Sequence, residues 1–228
     1  MMKTIGVIGA MQSEVVLLTE ALAHGEQKEY AHTAFVTGIY GKNRLVAACS
    51  GIGKVNSACT AQIMIDRFGV DCIINTGIAG GLADGVRIGD VVISDTVTYH
   101  DFTLRFLTYR YPFTEQFQAD ERLTDAAKAA CDAVGDITYY HKNIVSGDQF
   151  VTDRALKDSI RKYSDAYCVE MEGAAIAHAC AMNDVPFVVI RTISDNADDE
   201  ATVTFDEFAE QTARVSARIV LAMAGDFG

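Results

Sequence analysis

Positive charge is scarce in this chain. Nineteen Lys and Arg stand against 31 Asp and Glu over 228 residues, a net charge of −12. Such a balance repels polyanions and argues against binding nucleic acid or an acidic membrane face. Long apolar runs are also missing. None reaches the ~18 residues needed to cross a bilayer, and no basic-then-apolar leader opens the chain. Neither membrane spanning nor export is therefore expected. The six cysteines (Cys49, Cys59, Cys72, Cys131, Cys168, Cys180) stand singly with no C-x-x-C spacing. They read as reduced core thiols of a cytoplasmic protein. No Pro/Gly/Ser linker and no internal repeat breaks the sequence, so residues 1–228 read as one domain.

What is present is apolar and periodic: half of the residues are hydrophobic, enough for a sizeable core. The pattern predicts strands over 4–8, 35–39, 44–49, 72–74, 90–97, 138–145, 167–170 and 187–193. It predicts helices over 12–23, 53–68, 120–134, 153–162, 171–182 and from about 205 to 223. Gly41-Lys42-Asn43 reads as a hairpin turn. Strand–helix alternation implies an α/β fold, a three-layer sandwich with a central, largely parallel or mixed β-sheet flanked by helices. Residues 102–118 are irregular and dense in aromatics: Phe102, Phe106, Tyr109, Tyr111, Phe113 and Phe117. A partner subunit, a ligand or the chain's own fold would cover them.

Glu14, Glu172 and Asp195 each fall at the exit of a predicted buried strand. A charge there is costly unless it is paired or used. Ligands in α/β sheets gather at the carboxyl ends of strands. One pocket could therefore collect these acids with residues 77–81, Phe150 and Val151. Each acid also has a plain structural reading. Glu14 suits the positive end of its helix, and Ser194-Asp195-Asn196 would make a turn. Glu172 is a poor N-cap, since Ser, Thr, Asp and Asn are the favoured residues there. Other motifs carry less. Ser50-Gly51-Ile52-Gly53-Lys54-Val55 fails the phosphate-loop pattern, because Val rather than Ser or Thr follows the lysine. Gly77-Ile78-Ala79-Gly80-Gly81 is either a strand-to-loop turn or a backbone that a ligand approaches. His100-Asp101 lacks a second ligand pair for a metal, and His178 reads as structural.

Taken in order, a set of segments resembles the purine nucleoside phosphorylase/uridine phosphorylase family. The segments are Gly9-Ala10-Met11-x-x-Glu14, Ser50 to Val55, Asn75-Thr76-Gly77-x-Ala79-Gly80-Gly81, Ser146-Gly147-Asp148-x-Phe150, Val169-Glu170-Met171-Glu172 and Arg191-x-Ile193-Ser194-Asp195. The likeness is to the hydrolytic branch that cleaves adenine from 5′-methylthioadenosine and S-adenosylhomocysteine. It implies a nucleoside phosphorylase-like fold and a homodimer that binds a small adenine nucleoside, without metal or organic cofactor. By that resemblance Asp195 protonates adenine N7 and Glu14 activates water near Arg191. Glu172 binds the ribose hydroxyls with help from the Met171 backbone. Phe150 stacks on the base while the Val151 backbone reads its edge. Met11, Ile52 and Phe205 line the ribose and alkylthio end, and Gly80, Glu170 and Ser194 complete the substrate-binding set.

The residue types suit that chemistry. Breaking an N-glycosidic bond builds positive charge on the sugar and negative charge on the base, so a proton donor and a nearby carboxylate both lower the barrier. Donation by an Asp near pH 7 needs its pKa raised by about three units from ~3.9, roughly 4 kcal/mol. Burial beside Ile190, Ile193 and other carboxylates could supply it, or the proton could arrive only in the complex. The turn after the first strand carries Glu14 and no arginine, which repels phosphate and suits water. Two departures bear on the substrate. Ile78 stands where these hydrolases often have Ser, and residues 102–113 depart from their Asp-Val-Thr-Ala-Phe-Gly-Tyr pattern. The 5′ substituent stays open among methylthioadenosine, adenosylhomocysteine and 5′-deoxyadenosine. A phosphorylase, a futalosine-type hydrolase and an inactive nucleoside-binding protein are the alternatives.

Overall fold

The protein is described by a computed structural model covering residues 2–22, 25–198 and 200–227. Strand β1 (Thr4–Gly9) leads into α1 (Gln12–Ala21), followed by β2 (Glu26–Tyr30), β3 (Thr33–Tyr40) and β4 (Asn43–Cys49). Helix α2 (Lys54–Ile63) continues through a π turn, Met64–Phe68, to β5 (Cys72–Gly81) and β6 (Val91–Tyr99). A 3₁₀ turn, Leu104–Tyr109, and β7 (Phe117–Gln118) precede α3 (Glu121–Val134). Then come β8 (Tyr139–Ser146), α4 (Arg154–Tyr163), β9 (Cys168–Glu170), α5 (Gly173–Met182), β10 (Phe187–Asp195) and α6 (Ala201–Asp226).

The ten strands form one mixed sheet. Five ladders are parallel and five antiparallel, so the sheet is less parallel than strand–helix alternation suggests. Parallel β1, β4, β5 and β10 make its centre, and β2 and β3 extend it by hairpins. At the other end the sheet curls shut. β5 pairs with β10, β10 with β6, β6 with β8, β8 with β9, and β9 returns to β5. Helices α1, α3 and α6 cover one face through Val15, Leu18, Leu123, Ala127 and Val220. Helices α2 and α5 cover the other through Ala61, Met64, Ala174 and Ile176. These are the three layers of the sandwich.

Local chemistry explains most boundaries. Asp120 accepts from the amides of Arg122 and Leu123 and starts α3, while Asp153 accepts from Leu156 and starts α4. Leu123, Ala127 and Ala130 then fall on one buried stripe of α3. Strand β2, Glu-Gln-Lys-Glu-Tyr, has no apolar alternation and is missed by pattern reading. It forms because its backbone pairs with β3, and its charges suit an exposed edge. The last helix begins at Ala201 rather than near 205, and Ala23 of the first predicted helix lies outside the described residues. The largest difference is at residues 77–81, which are strand and not a turn. β5 runs on through them because β10 and β9 supply backbone partners to its end. The aromatic stretch is not covered by its own chain: Phe102, Phe106, Tyr109, Tyr111 and Phe113 stay 46–67 % exposed, and only Leu107 and Phe117 are buried.

Asn43 ties the sheet to the last helix. It accepts from the Lys3 amide at 3.0 Å and donates to the carbonyls of Ala224 at 2.9 Å and Phe227 at 2.7 Å. At roughly 1 kcal/mol for each bond, Asn43→Ala is expected to cost about 3 kcal/mol. Urea unfolding measures it, and a loss below ~1 kcal/mol would show that water replaces the amide without penalty.

Candidate active site

The centre is Arg191, placed on β10 and only 1 % exposed. A guanidinium so buried needs counter-charge at contact range. Its Nη2 makes an ion pair with Glu170 and donates to Asn75 Oδ1 at 2.6 Å, and it lies 3.5 Å from Glu172 Oε2. Nη1 donates to the Ile78 carbonyl at 3.3 Å. Asn75 in turn donates to the Ile8 carbonyl, which anchors the group to β1. Burial alone would lower the guanidinium's pKa. The carboxylates of Glu170, Glu172 and Glu14 hold it above the ordinary value.

Each carboxylate is positioned by backbone amides. Glu14 sits in the first turn of α1 and folds back on its own helix start. Oε2 accepts from the amides of Ala10 (2.6 Å) and Met11 (2.9 Å), and Oε1 from the amide of Ile78 on β5 (3.1 Å). The helix-end reading of Glu14 is thus correct and incomplete, since the same carboxylate faces the cleft. Burial raises its pKa, against the pull of Arg191 and the three amides. Glu170 ends β9. It accepts from Ser146 Oγ, from Arg191 and from the amides of Glu172 (3.0 Å) and Gly173 (2.7 Å). It therefore caps α5 from outside that helix. Glu172 occupies the N-cap position of α5 without capping it. Its Oε1 instead accepts from the Gly53 amide across the cleft at 2.8 Å. Burial lifts Glu172 to about 7, with Glu170 and Glu14 adding to the rise and Arg191 and Gly53 opposing it.

Asp195 is the last residue of β10, 1 % exposed. Oδ2 accepts from Ser194 Oγ and Oδ1 from the Ala197 amide, both at 2.8 Å. Burial raises its pKa; the carboxylate that adds to the rise is Asp198, and the Ala197 and Ser194 bonds oppose it. The glycines of β5 make room for these groups. A Cβ at Gly77 would collide with Arg191 Nη1 and Glu14, and one at Gly80 would lie 2.9 Å from Asp195 Oδ1. Their role is close approach, which the turn reading of 77–81 did not supply.

These residues bound one cleft of about 310 Å³. All thirteen positions singled out in the sequence line it: the polar Glu14, Glu170, Glu172, Arg191, Ser194 and Asp195, together with Met11, Ile52, Gly80, Phe150, Val151, Met171 and Phe205. Phe150 meets Phe205 edge-to-face, with ring centres 5.4 Å apart. Sequence reading gave no role to Ala10, Gln149 and Val169 in the lining, or to Asn75, Ser146 and the Gly53 amide behind it. Asn75 and Ser146 lie in the quoted motifs, but polarity inside an apolar strand was their only signal. His178 packs away from the cleft, stacked on Phe117 at 4.9 Å and 3.3 Å from the Tyr99 hydroxyl.

The family model of the phosphorylase superfamily matches residues 4–224. The chain belongs to the phosphorylase superfamily. Within it, this superfamily member is 40 % identical over 227 residues to the 5′-methylthioadenosine/S-adenosylhomocysteine nucleosidase of Anoxybacillus flavithermus, covering 97 % of this chain and 98 % of the relative. It is 39 % identical to the protein of that name from Bacillus subtilis, covering 95 % and 96 %. Among solved structures, the nucleosidase of Neisseria meningitidis in complex with methylthio-immucillin-A superposes with a TM-score of 0.93 at 39 % identity, over 98 % of this chain and 99 % of that one. The Colwellia psychrerythraea nucleosidase in complex with adenine gives 0.94 at 38 % identity, over 100 % and 96 %. The mixed sheet flanked by helices is the fold that these superfamily members share.

Gly77 gives a direct test of the crowding. Gly77→Ala forces Arg191 and Glu14 apart, and an ångström of misplacement can cost about 100-fold. Turnover by the variant is expected to fall by that order while far-ultraviolet circular dichroism stays native. Wild-type rates would mean that the two side chains need not touch β5.

Proposed function

We propose that this chain hydrolyses the N-glycosidic bond of 5′-methylthioadenosine and S-adenosylhomocysteine, releasing adenine and the 5′-substituted ribose. The observation that carries the reading is the pair Glu14 and Asp195, two buried acids on one cleft with an apolar rim. In our mechanism a water oxygen bonds to C1′ as the C1′–N9 bond breaks. Asp195 gives its proton to N7, so the leaving base departs neutral. Glu14 takes a proton from the water, which balances the one given. Glu172 faces the ribose hydroxyls, where its charge stabilises the cationic ring. Glu170, whose oxygens already hold four protein donors, acts through Arg191 and the start of α5.

Environment supports these roles. A raised Asp195 keeps its proton to higher pH than an exposed Asp, as a general acid needs. Glu172 at about 7 is neutral in mild acid, so kcat/KM should fall as pH drops through that value. Hydrolysis rather than phosphorolysis is favoured by charge. Arg191, the arginine in the cleft lining, is already surrounded by carboxylates, and the turn before α1 offers Glu14. Phosphate would meet net negative charge there. Phe150, Phe205, Ile52 and Met11 suit the base and an uncharged alkylthio group. Ile78 keeps its contact with Glu14 through its backbone, so the missing hydroxyl at that position leaves Glu14 held.

The expected outcome for Asp195→Asn is loss of at least about 1,000-fold in adenine release, the order that removal of a general acid costs, with substrate still bound in calorimetry. The wild type should release the same free ribose product with and without phosphate. A phosphate-dependent rate yielding a ribose 1-phosphate would replace hydrolase by phosphorylase.

Our reading extends to a homodimer in the cytoplasm. Its supports are the exposed aromatics of residues 102–113 and six free cysteines, four of them buried. Among the described residues no helix is long and apolar enough to cross a membrane. Light scattering at micromolar concentration should give twice the mass of one chain, and Phe106→Asp with Phe113→Asp should lower it. A monomeric wild type with full activity would end the dimer proposal.

A further inference from the structure

The loop Ser50-Gly51-Ile52-Gly53 and the loop Gly147-Asp148-Gln149-Phe150 approach the cleft from different elements, yet share one ionic cluster outside it. Lys54 Nζ bonds both Asp101 oxygens at 2.7 Å and lies 3.6 Å from Asp148 Oδ2. Asp101 Oδ2 accepts from the Asp148 amide at 2.9 Å. Asp148 Oδ1 accepts from the Lys54 amide, also at 2.9 Å. The interactions close a ring through three segments: the start of α2, the turn after β6 and the turn after β8.

We propose that Lys54, Asp101 and Asp148 form a positioning clasp that holds the sugar-side and base-side loops of the cleft in register. The proposal rests on the role of Glu172 given above. The start of α2 has no side-chain cap of its own. Two of its orphan amides are satisfied from outside: Gly53 by Glu172 inside the cleft and Lys54 by Asp148 on its outer side. These amides are neighbours on one turn. A shift that frees Lys54 from Asp148 also withdraws Gly53 from Glu172. Gly53 holds φ at +99°, so a larger residue there is strained. The same ring fixes Asp148, two residues before Phe150. Lys54 supplies the charge that lets Asp101 and Asp148 lie together. Its side chain is 20 % exposed and that of Asp101 is 23 %, so the cluster is better shielded than an ordinary surface pair. Burial would raise Asp101, and the Lys54 ammonium with the Asp148 amide holds it below the ordinary carboxylate range.

The test is the pH dependence of kcat/KM for methylthioadenosine in Lys54→Met, which keeps the apolar stem. The rate should fall by about 10- to 100-fold, as for lost orientation. Its acid limb should also move to higher pH than in the wild type. Arg191 from β10, Glu170 from β9 and Glu14 from α1 still face Glu172 in the variant, so a moved limb reports the Gly53 contact. Lys54→Arg should restore most of the rate. Asp148→Asn, at the most exposed member, should move the limb in the same direction and serves if Lys54→Met does not fold. Loss of rate with an unmoved limb, or no loss at all, overturns the clasp alone. A wild type that releases no adenine overturns the functional reading, and the clasp with it.

Discussion

A fully buried guanidinium cannot stand without charge beside it, and Arg191 is the constraint around which the rest of the cleft is arranged. Glu170 and Glu172 lie within ion-pair range of it, and Glu14 acts on it through space. Those three acids come from β9, the start of α5 and α1. The curled end of the sheet brings them together. β5 pairs with β10 along nearly its whole length and then turns its last two residues to β9, so Arg191 and Glu170 meet across strands that are distant in sequence. Without Arg191 the acids would repel one another in a site of low polarity.

The acids are costly to keep. Burial raises Glu14, Glu172 and Asp195 above the ordinary carboxylate range. A group with a raised folded pKa contributes stability that is complete below its unfolded value and is lost as pH rises through the folded one. These three therefore weaken the fold toward neutral and alkaline pH. The amides of Ala10, Met11, Ile78, Gly53 and Ala197 limit that loss by holding the charged forms. The hydrolysis we propose draws on the same imbalance. An Asp that keeps its proton can give it away, and a carboxylate shielded from water acts strongly on a cationic sugar.

Much of this was legible beforehand because polar residues at the ends of apolar strands stand out. Glu14, Glu172 and Asp195 each stand out as expensive placements, whereas Arg191 enters only through the resemblance. The helices over α3 and α4 followed from an Asp and an apolar stripe. What escaped notice lacked a side-chain signal. β2 is a charged edge made by backbone pairing alone. Residues 77–81 read equally as a turn or as a backbone open to close approach, and it is approach by Arg191, Glu14 and Asp195 against a strand that the glycines admit. Ser50 to Val55 fails the phosphate-loop pattern and enters only through the resemblance. Its function is to aim one backbone N–H at Glu172, and no residue type announces that.

Composition and pattern by themselves determined the α/β class, most helix and strand positions and the identity of the acids, because these depend on local periodicity and on the cost of burying charge. Only the tertiary structure decided that the sheet closes on itself and which acid meets which donor. Those outcomes depend on contacts between residues as far apart as Gly53 and Glu172, and short-range pattern carries no record of them.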